Sequence, residues 1–249
     1  MYETLHHLLT QLRLKGMAAA LDQELERAEK EGTSASELIH RLLTQEQAYR
    51  QERSLTYRLT QAKIPWQWSL TTFPFDRQPG VSKAQIQQLA GLSFLERTEN
   101  IVFIGDPGTG KSGLAIGLLR QALLAGYRGR FYNAQDLLDE LYASLADRST
   151  PQLMKRLCRY RVLLIDELGY LTLKAEQVNA FFKLMGERYG RTSTIITTNL
   201  DYPEWYDLFQ RKPLVDALLD RLKHRCITIR INGPSLRVPN EQQDPKKPE

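Results

Sequence analysis

The spacing of apolar residues changes twice along this chain, and each change predicts a different kind of structure. In residues 1–63 the apolar positions recur every three to four residues, the period of a helix with one buried face. Leu5, Leu8, Leu9, Leu12 and Leu14 fall mostly on one side of a first helix, and Gly16 is expected to break or weaken it. Met17 to Lys30 predicts a second helix, ended near Gly32. Ser34-Ala35-Ser36-Glu37 is a capping box that opens a third. That helix carries Leu38, Ile39, Leu42 and Leu43 as its stripe and meets no breaker before residue 63. Residues 1–63 therefore read as a small all-helical domain. It is expected to serve either as a packing or dimerisation appendage or to dock a protein or DNA partner. Residues 64–83 hold Pro65, Pro74, Pro79 and Gly80 with Trp66, Trp68, Phe73 and Phe75 between them. So many aromatics predict an ordered linker rather than a flexible one.

From residue 84 short apolar runs alternate with helical patterns. Helices are expected over 84–97, 113–125, 134–146, 151–159, 175–189, 203–209 and 213–224. Strands are expected over 101–104, 130–133, 162–165, 194–198 and 227–231. Such alternation implies an α/β fold, a five-stranded parallel sheet flanked by helices, over residues 84–238. Residues 239–249, with three prolines among mixed charges, read as a disordered tail.

The chemistry sits between these elements. Gly105-Asp106-Pro107-Gly108-Thr109-Gly110-Lys111-Ser112 reads G-x-x-x-x-G-K-S, the phosphate-binding loop of P-loop nucleotide hydrolases, with Gly113 next in the following helix. Glycines let the backbone curl tightly enough for several amides to converge on phosphate oxygens. The strand before and the helix after place those phosphates at a helix N-terminus. Lys111 would reach the β- and γ-phosphates of ATP, and the Ser112 hydroxyl would ligate Mg²⁺. Val162-Leu163-Leu164-Ile165-Asp166-Glu167 is an apolar strand ending in two acids, the Walker B pattern. Asp166 would hold Mg²⁺, and Glu167 is placed to polarise the attacking water. Asn199, at the end of the fourth strand, could orient that water or be a turn residue. Arg221 could stabilise transition-state charge on a neighbouring subunit or be a solvated helix arginine.

The formal net charge is +5. Residues 1–63 carry nine Lys/Arg and nine Asp/Glu, so the basic excess lies in the nucleotide domain, a hint of a polyanionic partner. Cys158 and Cys226 lack metal-ligand spacing and are expected to be buried free thiols, and the four histidines form no metal motif. No signal-peptide or membrane-spanning run is evident, so the expectation is a cytoplasmic protein with no membrane contact.

The order of these motifs resembles an AAA+ ATPase of the initiator and helicase-loader clade. More closely it resembles the IstB-like proteins, ATP-binding helpers of an insertion-sequence transposase and relatives of the helicase loader DnaC. Supporting residues are Leu14-Lys15-Gly16-Met17, Phe73-Pro74-Phe75 with Arg77-Gln78-Pro79-Gly80, Asn100-Ile101-Val102-Phe103, and Ile165-Asp166-Glu167-Leu168-Gly169-Tyr170. The resemblance implies that Asn199 is sensor 1, Arg221 an arginine finger and Arg237 the terminal sensor-2 arginine. It implies no C-terminal lid domain. It also implies that the helix pair after the second strand lines a DNA path, bringing Arg148, Lys155, Arg156, Arg159 and Arg161 to DNA phosphates with little base readout. The function it implies is an ATP-dependent DNA-binding ATPase. That ATPase would form a homo-oligomer with active sites shared between subunits and assist a cognate transposase. A helicase loader for replication, or a nucleotide-gated DNA scaffold without significant turnover, stays open beside it.

Overall fold

The computed structural model describes residues 2–169 and 171–237; Tyr170 and the 239–249 tail lie outside the described residues. The chain divides into two compact units between Arg58 and Leu59. The first holds α1 (Tyr2–Gln11), α2 (Lys15–Glu31) and most of α3 (Ala35–Ala62), so the division falls inside a continuous helix rather than at its end.

Gly16 does not break the first helix. The break comes at Arg13, with φ of 58°, and Gly16 lies buried in the first turn of α2. A Cβ on Gly16 would stand 2.7 Å from the Tyr49 Cβ, so glycine is what lets α2 touch α3. Glu46 of α3 then reaches across. Its carboxylate accepts from the Gly16 and Met17 amides at 2.7 and 3.2 Å, satisfying donors that a helix start leaves free. The expected stripe on α3 is split, with Leu42 buried and Ile39 and Leu43 half exposed. Leu5 and Leu8 of α1, and Leu12 just past its end, are likewise open.

The second unit continues through α4 (Lys83–Ala90) and α5 (Ser93–Glu96). One helix over 84–97 was the expectation. Leu92 takes a left-handed φ of 63° and ends α4, and the short α5 then buries Phe94 and Leu95 completely. The elements that follow are β1 (Asn100–Gly105), α6 (Lys111–Leu124), β2 (Gly129–Asn133), α7 (Ala134–Ala146), α8 (Thr150–Cys158) and β3 (Val162–Asp166). They are completed by α9 (Ala175–Arg188), β4 (Ser193–Thr198), α10 (Trp205–Phe209), α11 (Lys212–His224) and β5 (Cys226–Ile231). All five strands are parallel, in the order β2-β3-β4-β1-β5.

The strand residues alternate between two cores, as the two-residue period of a strand requires. Val102, Ile104, Leu163, Ile165 and Ile196 pack with α7, α8, α9 and α11. Ile101, Phe103, Leu164, Ile195 and Ile229 pack with α4, α5 and α6 on the other face. The linker packs as part of the second unit. Phe73 and Val81 are buried in the second core, Trp66 meets Phe131 edge-on, and Trp68 lies along α6 at Gly113. Arg188 is a buried staple. Its guanidinium donates to the carbonyls of Leu157, Tyr160 and Ser193 and to Thr194 Oγ1, tying α9 to β4 and to the end of α8. Burial pulls its pKa down to about 10. Cys158 and Cys226 are free thiols and only partly covered. Among the described residues no helix is long and apolar enough to cross a membrane.

Candidate functional site

The strand order makes the site. β4 lies between β3 and β1, so the acids ending β3, the polar end of β4 and the loop after β1 open at one edge of the sheet. The carboxyl ends of parallel strands are where such sheets hold their ligands.

In the loop, Gly108 and Gly110 take left-handed φ values of 86° and 93°, a conformation other residues adopt at a cost. The Thr109 hydroxyl donates to the Asp106 carbonyl at 2.8 Å and closes the turn. Helix α6 starts at Lys111, so its free amides and dipole face the loop. Lys111 Nζ donates to the carbonyls of Gly105 and Asp106 at 2.7 and 2.8 Å. Burial lowers the Lys111 pKa, and the Arg237 charge lowers it further, while Asp166, Asp106 and Glu167 act the other way. Both Walker B acids and Arg237 therefore act on the Lys111 charge. Arg237 itself is exposed, with its amide on Ser235 Oγ at 3.2 Å.

Asp166 is buried, and burial pushes its carboxyl above the usual range; the Thr197 and Ser112 hydroxyls oppose that. A buried carboxylate with a neighbouring hydroxyl suits Mg²⁺, which takes one or two protein oxygens and fills the remainder with water and phosphate. Ser112 and Asp166 are the residues that would hold it. Glu167 has a left-handed φ of 62°, a strained position for a residue with a side chain. β4 holds it there. The Glu167 amide donates to Thr197 Oγ1 at 2.9 Å, the Leu168 amide to the Thr197 carbonyl at 2.8 Å, and Thr198 Oγ1 to the Leu168 carbonyl. Thr197 Oγ1 also donates to Asp166 Oδ1 at 2.5 Å. One threonine thus orients both acids.

Asn133, at the end of β2, donates from Nδ2 to Glu167 Oε2 at 3.1 Å, while its Oδ1 caps α7 through the Gln135 amide. The Asn199 side chain lies against Gly169, where a Cβ would be 2.3 Å from Asn199 Oδ1. It therefore borders the loop that follows Glu167.

Arg221 lies elsewhere. It lines a groove between α9 and α11 with Asn179, Phe182, Lys183 and Leu214, and its guanidinium sits 6.0 Å from the Tyr189 ring centre. The basic cluster on α7 and α8 is smaller than its sequence suggested. Arg161 donates to the carbonyls of Arg191 and Leu95 and is structural. Arg156 is paired with Glu140. Arg148, Lys155 and Arg159 are exposed.

Sequence reasoning missed Asn133, Thr197 and Gln78. Asn133 read as part of a strand and cap, and only its place beside β3 gives it a second role: in the ladder it is opposite Asp166. Thr197 stood two positions from Asn199 in a strand that mixes isoleucines with hydroxyl residues. Gln78 lay in a linker noted for its aromatics, and its amide reaches the phosphate loop.

Comparisons with known proteins agree with this geometry. The family model of the IstB-like ATP binding protein matches residues 7–244. An ATP-binding protein of insertion sequence IS21 from Pseudomonas aeruginosa is 35% identical over 236 residues, covering 95% of this chain and 89% of that protein. One of insertion sequence IS5376 from Geobacillus stearothermophilus is 33% identical over 247 residues, covering 99% and 98%. Among solved structures, the DnaC helicase loader superposes with a TM-score of 0.57 at 25% identity, covering 69% of this chain and all of that one. With a phosphate loop, a Walker B strand end and a five-stranded parallel sheet in place, this chain belongs to the family of IstB-like ATP-binding proteins and has the P-loop fold of its DnaC-like relatives.

Proposed function

We propose that this protein is a Mg²⁺-dependent ATPase that binds DNA with little sequence preference, assembles into a homo-oligomer with shared active sites, and assists a cognate transposase. The observation that carries the hydrolytic reading is the Thr197 bridge. A single hydroxyl orders Asp166 and Glu167 beside Lys111 and Ser112, and a protein that only bound nucleotide would have no need of the second acid. In this reading Lys111 neutralises the β- and γ-phosphates, and Ser112 and Asp166 hold the metal. Glu167 takes the proton of the attacking water, Asn199 orients that water, and Arg237 adds positive charge beside Lys111. Mg²⁺, when bound, supplies charge neutralisation and alignment of the phosphates. Cytoplasmic action follows from such a role.

Lys111→Ala is expected to weaken ATP binding at least about tenfold, since hydrogen bonds to a charged group are worth ~1.5–3 kcal/mol each. Titration with a fluorescent ATP analogue checks this. Affinity equal to that of the unmodified protein would overturn the reading of the loop.

The names of the insertion-sequence relatives support a transposase as the protein partner, and the open Leu5, Leu8 and Leu12 suit a docking role for the helical unit. DnaC similarity keeps helicase loading as the second reading. For DNA, Arg148, Lys155 and Arg159 are the exposed charges that α7 and α8 offer to phosphates. Lys155→Glu with Arg159→Glu is expected to weaken binding to all DNA sequences alike and to flatten its salt dependence, as measured by fluorescence anisotropy across a salt series. A loss confined to one sequence would mean base readout. An unchanged affinity would move the DNA path off α8.

A further inference from the structure

Gln78 is an uncharged polar side chain with no exposure to solvent. Its single Nε2 carries two protons, and both are used. One goes to the carbonyl of Thr109 in the phosphate loop at 3.1 Å, the other to the carbonyl of Pro234 at 3.0 Å. Its Oε1 accepts from the Gly80 amide at 3.4 Å. A glycine makes room for it. A Cβ on Gly233 would lie 1.6 Å from Gln78 Oε1, so that position cannot accept a side chain while the amide stays where it is. Gly80 in turn lets the linker backbone touch the strap, since a Cβ there would lie 2.5 Å from the Asn232 carbonyl oxygen.

The segment it reaches, Gly233 to Arg237, lies over the outside of the phosphate loop. The Leu236 amide donates to the Gly108 carbonyl at 2.8 Å. Ser235 abuts Gly108, and Leu236 and Phe73 together cover Gly110. Two successive loop carbonyls, those of Gly108 and Thr109, are therefore held by groups outside the loop. In a planar trans peptide the carbonyl and the following amide point in opposite directions. Drawing the Thr109 carbonyl towards Gln78 therefore turns the Gly110 amide to the other side of the chain. The same Gln78 holds the strap whose last described residue is Arg237.

We infer that Gln78 is a positioning residue for nucleotide, which presets the peptide plane of Thr109 and Gly110 and couples the phosphate loop to the strap that carries Arg237. The strap then registers whether the loop is filled, because loop and strap share one amide group. This inference rests on the ATP-binding reading of the loop.

The test uses the full chain. Gln78→Met keeps the length and removes both donors, so ATP affinity should fall at least about tenfold, as expected when two carbonyls lose their partners. A merely structural role would not couple the two ends, so two further readouts are needed. In the unmodified protein, added ATP and Mg²⁺ should slow hydrogen exchange of the Leu236 amide. In Gln78→Met that slowing should be lost even when ATP is raised to saturation. The effect of Gln78→Met on affinity should also shrink in an Arg237→Ala background, where part of what it positions is gone. If Gln78→Met fails to fold by circular dichroism, Gly233→Ala tests the same contact, since its methyl group would drive the amide away, and the same losses are expected. Unmodified protein that binds no ATP would overturn the parent reading. ATP binding by that protein, with affinity and Leu236 protection unchanged in the variant, would overturn this inference alone.

Discussion

Arg221→Ala is expected to keep ATP binding and to lose hydrolysis by a factor on the order of 10³ or more, the scale of other arginines that act on a neighbour's phosphate. The geometry motivates the test. Arg221 lies in the groove between α9 and α11, near Gly186 and the Tyr189 ring, and none of the residues lining that groove belongs to the phosphate loop or to the end of β3. Its guanidinium has no carboxylate partner among the described ion pairs. On the proposed function it completes the site of a second copy. Specific activity should therefore rise with protein concentration and on adding DNA. Mixing Arg221→Ala with Lys111→Ala copies should restore part of the activity, because each supplies the half-site that the other lacks. Activity independent of concentration, without rescue in the mixture, would return Arg221 to the role of a surface residue and the enzyme to a monomer.

The second large effect is at Glu167. Glu167→Gln should bind ATP about as well as the unmodified protein and turn it over ~10²–10⁴-fold more slowly, the usual contribution of a positioned general base. The substitution isolates basicity. The glutamine keeps the volume and an acceptor oxygen for Asn133 Nδ2, and the backbone stays pinned by its amide on Thr197 Oγ1. Fold and left-handed turn should survive, which thermal melting verifies. In single-turnover experiments the nucleotide should remain unhydrolysed on the protein. Turnover equal to that of the unmodified chain would remove Glu167 from the proton-transfer role and leave Asn133 and Thr197 ordering a carboxylate for some other purpose.

What the sequence determined by itself was everything encoded by neighbours along the chain. The turn from Gly105 to Ser112 needs glycines at particular φ values, and that need is written in the spelling. The Walker B strand is an apolar run followed at once by its acids. Helix α7 begins at Ala134 and ends at Ala146 as expected, because Asn133 caps it locally. Alternation of strands and helices implied a parallel sheet, and five parallel strands are present.

The tertiary structure decided whatever depends on partners far along the chain. Strand order is one such fact, and from it follows the second role of Asn133, which meets Glu167 only because β2 lies beside β3. Thr197 is another; a threonine near a strand end became the hinge of both acids through contacts 31 and 30 residues away. Gly16 has the spelling of a helix breaker, yet Tyr49 and Glu46 make it a point of helix contact. Arg156 and Arg161 read as part of a basic face, yet Glu140 and two distant carbonyls claim them. Nothing next to Gln78 in the chain spells out its role, since its partners are 31 and 156 residues away. A backbone preference acts within a few residues and so leaves a legible mark, whereas a hydrogen bond closed by the fold is specified only when the sheet brings its two ends together.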